Sequence, residues 1–229
     1  MPALKRATLP AIYKALYHRF GPQHWWPGDT KFEIIIGAIL TQNTNWRNVE
    51  KAINNLKEAR ALNPTAMKKV SLRRLAMLIR PSGYFNIKAK RIKHFIKFLF
   101  SEYDGLLERM QRDSLERLRT KLLSVNGIGP ETADSILLYA FNKPVFVIDA
   151  YTKRVLYRHG LVEKDVTYHA VQEQFTAALT KNEALFNEYH ALIVRLAKDF
   201  CRPLPLCAHC PLNGYSLSAA FKKENQVSL

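Results

Sequence analysis

The chain has 229 residues, 48% of them hydrophobic, which is enough apolar material for one large folded domain or two small ones. Its 35 Lys and Arg residues outnumber its 19 Asp and Glu residues, giving a net charge of +16 and a sequence pI near 9.9. This excess favours a polyanionic partner, with nucleic acid ahead of an anionic membrane surface. No apolar run approaches the roughly 18 residues of a membrane-spanning helix. The N-terminus lacks the apolar centre of a signal peptide, so we expect a cytoplasmic protein, nucleoid-associated if prokaryotic.

Helical periodicity runs through nearly the whole chain, and two-residue alternation is almost absent. The only strand-like candidate is VFVI at 145–148, and the polar segment 221–229 is expected to fray. Glycine, proline and asparagine punctuate the remaining pattern, which predicts an all-α chain with short connections. The predicted helices cover 8–19, 31–41, 45–59, 64–69, 71–79, 85–102, 113–123, 130–141, 150–159, 167–179 and 183–200.

Two of these helices, 113–123 and 130–141, are joined by the turn Asn126-Gly127-Ile128-Gly129. Its glycines permit positive φ and close backbone approach, while Ile128 turns into the core. Exposed backbone amides at the start of a helix form a cradle for a phosphate oxygen. Such a contact positions a protein on a duplex without reading its sequence. An ordinary corner between two helices is the alternative.

Twenty residues after Gly129, the segment VFVIDAYTKRVLYR places Asp149 directly before a helix. Together with VNGIGPETAD, it resembles the helix-hairpin-helix DNA glycosylase superfamily, whose pattern is L-P-G-V-G-x-K-T-A followed by V-D-T-H-V-x-R. FEIIIGAILTQNT resembles the second helix of that superfamily, GYFNIKAKRI its G-x-Y-N-x-K-A segment, and CRPLPLCAHCPL its C-terminal iron–sulfur loop. The resemblance covers residues 30 to 212.

The resemblance implies a base-excision-repair enzyme with two helical lobes and a cleft between them for double-stranded DNA. The central lobe would span 30–141, with the helix-hairpin-helix at 113–141, and the second lobe would combine 1–29 with 142–229. A monomer is the family default. The basic runs at 67–74 and 88–97 are candidate surfaces for the duplex, with ordinary solvated helix faces as the alternative.

Asp149 takes the position of the superfamily's catalytic aspartate. Loss of a base leaves positive charge on the sugar, and a fixed carboxylate stabilises such a transition state and orients the attacking water. The start of a helix keeps this carboxylate ionised. A plain N-cap is the alternative. The histidine that follows the aspartate in the superfamily is replaced here by Tyr151.

Glu131 stands where bifunctional members carry the lysine that attacks the sugar and forms a Schiff base. A carboxylate cannot form that imine, so the sequence resembles the monofunctional branch, which leaves an abasic site. Two alternatives stay open: a bifunctional glycosylase and lyase that uses Lys153 or Lys143, and a non-catalytic hairpin module that binds DNA.

The base pocket is predicted from tryptophans. Trp26, in the run WWP, and Trp46 are candidates to sandwich an extruded base, and stacking favours a positively charged alkylpurine. Core packing is the alternative. With GAILTQNT and RPSGYFN, these residues look most like the endonuclease III-like 3-methyladenine glycosylases of bacteria. Gln42 or Asn43 would fill the hole left by the flipped base, with a polar helix cap as the alternative.

The three cysteines, Cys201, Cys207 and Cys210, resemble the superfamily's cluster loop, which implies a [4Fe–4S] cluster. That loop spaces four cysteines by six, two and five residues, whereas here the spacings are five and two and Ser216 takes the fourth place. Four outcomes stay open: an intact cluster, its loss, a fourth ligand such as His209, and zinc.

Overall fold

The computed structural model describes residues 4–25 and 28–225. Within these ranges the regular structure is helical, and the one strand-like pairing is an isolated parallel bridge between Lys5 and Tyr215. The prediction of an all-α fold is confirmed. No helix in this part of the chain is long and apolar enough to cross a membrane. The α-helices are α1 Leu9–Phe20, α2 Lys31–Leu40, α3 Trp46–Glu58, α4 Pro64–Lys69, α5 Leu72–Leu78, α6 Phe85–Tyr103, α7 Leu107–Gln111, α8 Leu115–Leu123, α9 Pro130–Ser135, α10 Ala150–Arg158, α11 Tyr168–Ala178, α12 Glu183–Asp199 and α13 Ala219–Asn225.

Three short segments complete the helical structure. Arg80–Ser82 and Cys207–His209 are 3-10 turns, and Ile136–Ala140 continues α9 as a π-helix. The chain divides into two compact units, one formed by 1–25 with 144–229 and the other by 26–143. From the sequence alone the boundaries are placed at 30 and 141. In the first unit α12 packs on α1 and α10, and in the second α6 packs on α2, α4 and α5.

Most helices begin where a short polar side chain accepts a backbone N–H of the first turn, so the helix starts follow directly from the sequence. Among the described residues, α6, α7 and α9 have no such side-chain cap. The capping residues are Thr8, Thr30, Asn45, Asn63, Ser71, Ser114, Asp149, Thr167 and Asn182.

The segment 145–148 is buried but is not a strand, so the strand-like interpretation is wrong. Two side chains of α11 form hydrogen bonds to the backbone of this segment, as a neighbouring strand would. Gln172 Nε2 donates to the Phe146 carbonyl at 2.7 Å, and the Ile148 N–H donates to the Tyr168 hydroxyl at 3.3 Å. One carbonyl and one N–H of this segment are thereby satisfied by side chains and not by a β-ladder.

The predicted fraying from residue 221 onward is wrong for the start of that segment. Phe221 lies in α13, is 2% exposed, and its ring packs 4.9 Å from the Arg158 guanidinium carbon. A buried aromatic ring anchors this helix although its neighbours in sequence are polar. Residues 226–229 lie outside the described residues.

Candidate functional site

The turn between α8 and α9 has two glycines with different roles. Gly127 has φ +92°, a conformation that L side chains rarely adopt, and a Cβ there would lie 2.3 Å from Arg91 Cγ. Gly129 has φ −92° and ψ −179°, and nothing lies within 4 Å of where its Cβ would be. Ile128 is 4% exposed, as predicted. Glycine is therefore required at Gly127, by its positive φ and by the close approach of the Arg91 side chain, and not at Gly129.

The two helices of the hairpin are held together by a buried ion pair. Arg119 on α8 donates to both carboxylate oxygens of Asp134 on α9, at 2.7 and 3.2 Å. Asp134 is fully buried, so this bidentate pair fixes the angle at which the turn is presented. Gly129, at the N-cap of α9, provides no side-chain cap, and Pro130 follows it as the first residue of the helix. At the other end of the turn, the Asn126 carbonyl lies 3.1 Å from Nδ1 of His94.

Gln42 lies against the hairpin. Its Nε2 donates to the Gly127 carbonyl at 3.0 Å and to Thr132 Oγ1 at 2.8 Å, and its Oε1 accepts from Arg91 Nη1. These bonds use both ends of the amide, so Gln42 supports the hairpin. Its neighbour Asn43 is exposed, has φ +53°, and makes no side-chain hydrogen bond within the described residues.

A second exposed side chain, Tyr84, was missed by the sequence reasoning. Tyr84 is 68% exposed, has φ +45°, and precedes α6 without capping it. A non-glycine residue in the left-handed region is uncommon and marks a position held by its surroundings. The signal in the sequence was the pair Gly83-Tyr84 ahead of a helix.

A buried lysine ties together the loops that carry these side chains. Lys88 is 1% exposed, and its Nζ donates to the carbonyls of Leu40 at 2.8 Å and Ser82 at 2.6 Å. Burial, followed by the nearby charge of Arg91, lowers the pKa of Lys88 to about 8. Leu40 ends α2 two residues before Gln42, and Ser82 lies two residues before Tyr84. One ammonium group therefore fixes both loops.

The structure describes one of the two tryptophans that are predicted to sandwich an extruded base, so the sandwich stays a prediction. Trp26 lies outside the described residues. Trp46 begins α3, and a Cβ on Gly37 would lie 3.5 Å from Cη2 of its ring. Trp25 stacks on His190 with ring centroids 5.5 Å apart and an interplanar angle of 11°. Both described tryptophans therefore pack within their own unit.

Asp149 caps α10 with one oxygen and faces a histidine with the other. Its Oδ1 accepts from the Thr152 N–H at 2.7 Å and from the Thr152 hydroxyl at 2.8 Å. Its Oδ2 lies 3.5 Å from His190 Nε2. Burial alone raises the pKa of Asp149, but His190 and the Thr152 hydrogen bonds outweigh it, and the net pKa lies below the usual value. His190 lies 41 residues further along the chain, and no spacing in the sequence indicated it.

The residues that bear on lyase chemistry are Glu131 and the two lysines that were considered for it, Lys143 and Lys153. Glu131 is exposed in the first turn of α9. Lys143 Nζ donates to the Asp113 carbonyl at 2.6 Å, and Lys153 Nζ donates to the Val166 carbonyl at 2.8 Å. Both amines that were considered for lyase chemistry are thus engaged with backbone carbonyls.

Comparison with known proteins decides the family. A profile described as HhH-GPD superfamily base excision DNA repair protein matches residues 36–181. The chain is 47% identical over 209 residues to a Methanocaldococcus jannaschii protein named as a DNA repair glycosylase, covering 90% of this chain and 94% of the relative. The chain belongs to the HhH-GPD superfamily. This glycosylase is also 31% identical over 185 residues to endonuclease III of Thermotoga maritima, covering 80% of this chain and 81% of that one.

Solved structures agree with the assignment. The glycosylase superposes on the H. pylori 3-methyladenine DNA glycosylase bound to 1,N6-ethenoadenine with a TM-score of 0.73 and 30% identity, covering 84% of this chain and 98% of that chain. An endonuclease III trapped as a covalent DNA intermediate superposes with a TM-score of 0.81 at 23% identity, covering 96% and 100%, which shows a shared fold. The protein is a base-excision DNA glycosylase, and DNA is its substrate.

The cysteine loop of the glycosylase does not fit a four-thiolate cluster. The whole chain has three cysteines, and no group of three or more His, Cys, Asp or Glu side chains in the described residues is arranged to hold a metal ion. Cys201 Sγ instead accepts from Arg158 Nη1 at 3.2 Å, and the same guanidinium donates to the carbonyls of Arg202 at 2.7 Å and Pro203 at 3.1 Å. Ser216 pairs through its backbone with Lys5, at 2.9 Å.

Proposed function

We propose that this glycosylase is monofunctional: it flips a damaged nucleotide out of duplex DNA and hydrolyses its glycosidic bond with water, leaving an abasic site. The observation that carries the proposal is the state of Asp149. Its side chain is 13% exposed, the pKa of its carboxyl is held below the usual value, and its Oδ2 is not used in capping.

In the proposed reaction Asp149 acts electrostatically. As the base leaves, positive charge grows on the sugar, and a fixed, largely buried carboxylate stabilises that charge more than a carboxylate in water would. The same carboxylate orients the water that attacks the sugar carbon. Because Thr152 fixes Oδ1, the carboxylate cannot rotate freely during the reaction.

The residue at the superfamily's lysine position and the contacts of the two candidate amines support hydrolysis over lyase chemistry. The superfamily's lysine position is occupied by Glu131, which cannot form an imine. The amines of Lys143 and Lys153 donate to backbone carbonyls, so each would have to give up a hydrogen bond before it attacked a sugar.

The remaining DNA contacts are assigned by exposure and backbone geometry. The turn 126–129 binds a backbone phosphate through its amides, as expected for a helix-hairpin-helix. Asn43 and Tyr84 enter the duplex and fill the space of the flipped nucleotide, because they are exposed and their loops are held by Lys88. Gln42 keeps the hairpin in place and does not enter the duplex.

We propose an alkylated purine as the substrate class. Its support is the 30% identity to a 3-methyladenine glycosylase that binds an ethenoadenine, together with Trp46 and the run at 25–26. Aromatic rings favour an electron-poor, positively charged base through cation–π attraction.

The test compares base release by wild type and Asp149→Asn from duplexes that carry 3-methyladenine, 1,N6-ethenoadenine, uracil or an oxidised pyrimidine, with borohydride in parallel tubes. Asparagine is as good an N-cap as aspartate, so the variant should fold while losing the charge. We expect release of alkylated purines by wild type, a loss of about 100-fold or more in the variant, and no trapped adduct. A covalent adduct would refute hydrolysis, an active variant would refute the role of Asp149, and release only of the other bases would refute the substrate class.

A further inference from the structure

Asp149 has a partner that capping does not require. Thr152 alone satisfies the cap through Oδ1, yet Oδ2 lies 3.5 Å from Nε2 of His190, which comes from the middle of α12. A histidine on a separate helix is not needed to start α10.

The ring of His190 is fixed by aromatic packing. His190 is 4% exposed, Trp25 stacks on it at 5.5 Å and 11°, and Phe146 meets it edge-on at 6.3 Å and 83°. Rings on a face and at an edge leave the imidazole little freedom to turn. The position of Nε2, and with it the orientation of Oδ2, is set by this packing.

Other charged groups on the helices that pack against α12 are directed elsewhere. Arg154 of α10 donates to the carbonyls of Cys201 and Ala197. On the side of α1, Glu188 accepts from the Gln23 N–H at 2.8 Å, and Tyr13 meets the ring of Tyr189. The influences on the pKa of the Asp149 carboxyl come from burial, which is the largest, and from His190 and Thr152, which oppose it.

We infer that His190 is a positioning residue for Asp149: its imidazole fixes the orientation of Oδ2, and its positive charge when protonated favours the ionised carboxylate in a buried site. This inference rests on the proposed function, because it assigns His190 a role only through a catalytic Asp149. With a neutral, apolar group in place of His190, the rise that burial causes in the pKa of Asp149 would be opposed by the Thr152 hydrogen bonds alone. The carboxylate would then take up a proton at higher pH and stop stabilising the sugar cation.

The experiment measures single-turnover base release against pH for wild type, His190→Phe and His190→Gln, with DNA affinity measured on the same samples. In His190→Phe we expect the acid limb of the rate–pH profile to move to higher pH by about one unit. At pH values on the acid side of the limb this displacement is a tenfold loss of rate, and the loss on the alkaline plateau should be much smaller. His190→Gln keeps a hydrogen-bonding group without a charge, so its plateau should exceed that of His190→Phe while its limb is still displaced.

His159→Gln is the matched control. His159 is also buried in this unit, but its Nδ1 lies 3.1 Å from the Ser216 carbonyl in the cysteine loop. Its acid limb should coincide with that of wild type. If the limb of both His190 variants also coincides with wild type while Asp149→Asn is inactive, the inference about His190 is overturned and the proposed function stands.

An active Asp149→Asn would instead overturn the proposed function itself, whatever the His190 profiles show. Should His190→Phe fail to fold, a carbon-13 NMR titration of the Asp149 carboxyl in His190→Gln gives the same answer without a need for activity. We expect its titration midpoint above that of wild type, and an unchanged midpoint would contradict the inference.

Discussion

Gly127 and Gly129 have different roles in the hairpin, and substitution of each by alanine distinguishes those roles. In Gly127→Ala the new methyl group meets Arg91 Cγ at 2.3 Å and sits on a backbone with φ +92°. The left-handed backbone costs about 1–2 kcal/mol for a residue with a Cβ. Moving Arg91 also breaks its bond to Gln42 Oε1, a loss of about 1–3 kcal/mol for a hydrogen bond with a charged partner. The expected destabilisation is about 2–5 kcal/mol.

Gly129→Ala should behave in the opposite way. Its φ of −92° suits alanine, and the added methyl group meets nothing within 4 Å. Lower entropy of the unfolded chain then makes the variant as stable as wild type or more stable, by about 0.4–1 kcal/mol. Both variants carry the same chemical change two residues apart, so each is the control of the other.

The assay is urea unfolding of both variants and wild type at one protein concentration, followed by duplex affinity across a salt series. We expect Gly127→Ala alone to lose stability. Gly129→Ala should stay stable and bind DNA more weakly, because its methyl group stands among the amides proposed to hold a phosphate. Equal stability of the two variants would refute the assignment of different roles to the two glycines, and full affinity of Gly129→Ala would refute the phosphate cradle.

Three further predictions concern the rest of the molecule. Lys88 has a pKa of about 8 in the folded protein against an ordinary 10.5, so between these pH values the unfolded chain binds more protons than the folded one. The free energy of unfolding of wild type, measured in urea and compared with that of Lys88→Met, should therefore rise by about 2 kcal/mol from about pH 7 to 9.5. Asn43→Gly, in which glycine tolerates the φ of +53°, should slow base release with little change in stability, whereas Gln42→Ala should lower stability by about 1–3 kcal/mol. Anaerobic reconstitution followed by iron analysis should find less than one iron per chain, because the chain has three cysteines and the Arg158 guanidinium donates to the sulfur of one of them, Cys201.

Local rules explain how much of the fold was predictable. Helices α2, α4 and α5 begin within a residue of their predicted starts because Thr30, Asn63 and Ser71 are strong N-caps. The strand-like interpretation of 145–148 is wrong because a short apolar run has the same sequence pattern whether a neighbouring strand or side chains bond to its backbone. Only the tertiary fold brings Gln172 to the Phe146 carbonyl.

The candidate site was predictable where its residues are consecutive and not where they are distant. Asp149 and the hairpin are contiguous motifs, and their backbone roles follow from the sequence. The sequence predicts that Gln42 or Asn43 fills the hole left by the flipped base, and their position in a helix-end motif does not distinguish between them. The bond from Gln42 to the Gly127 carbonyl, 85 residues away, is set by the tertiary fold. His190 and Lys88 were missed for the same reason: their partners are set by packing between helices.

The ionised state of Asp149 serves both folding and the proposed chemistry. Charged groups are often costly to bury, but here the folded protein lowers the pKa of the Asp149 carboxyl. Its ionisation therefore adds to the free energy of unfolding above the pKa that the group has in the unfolded chain. That contribution is lost as pH falls through the pKa of the group in the folded protein. The cap to Thr152 and the contact with His190 therefore stabilise the same form of Asp149 that a sugar cation needs. Acid should consequently reduce base release and the stability of α10 together, and a His190 variant should move both transitions in the same direction.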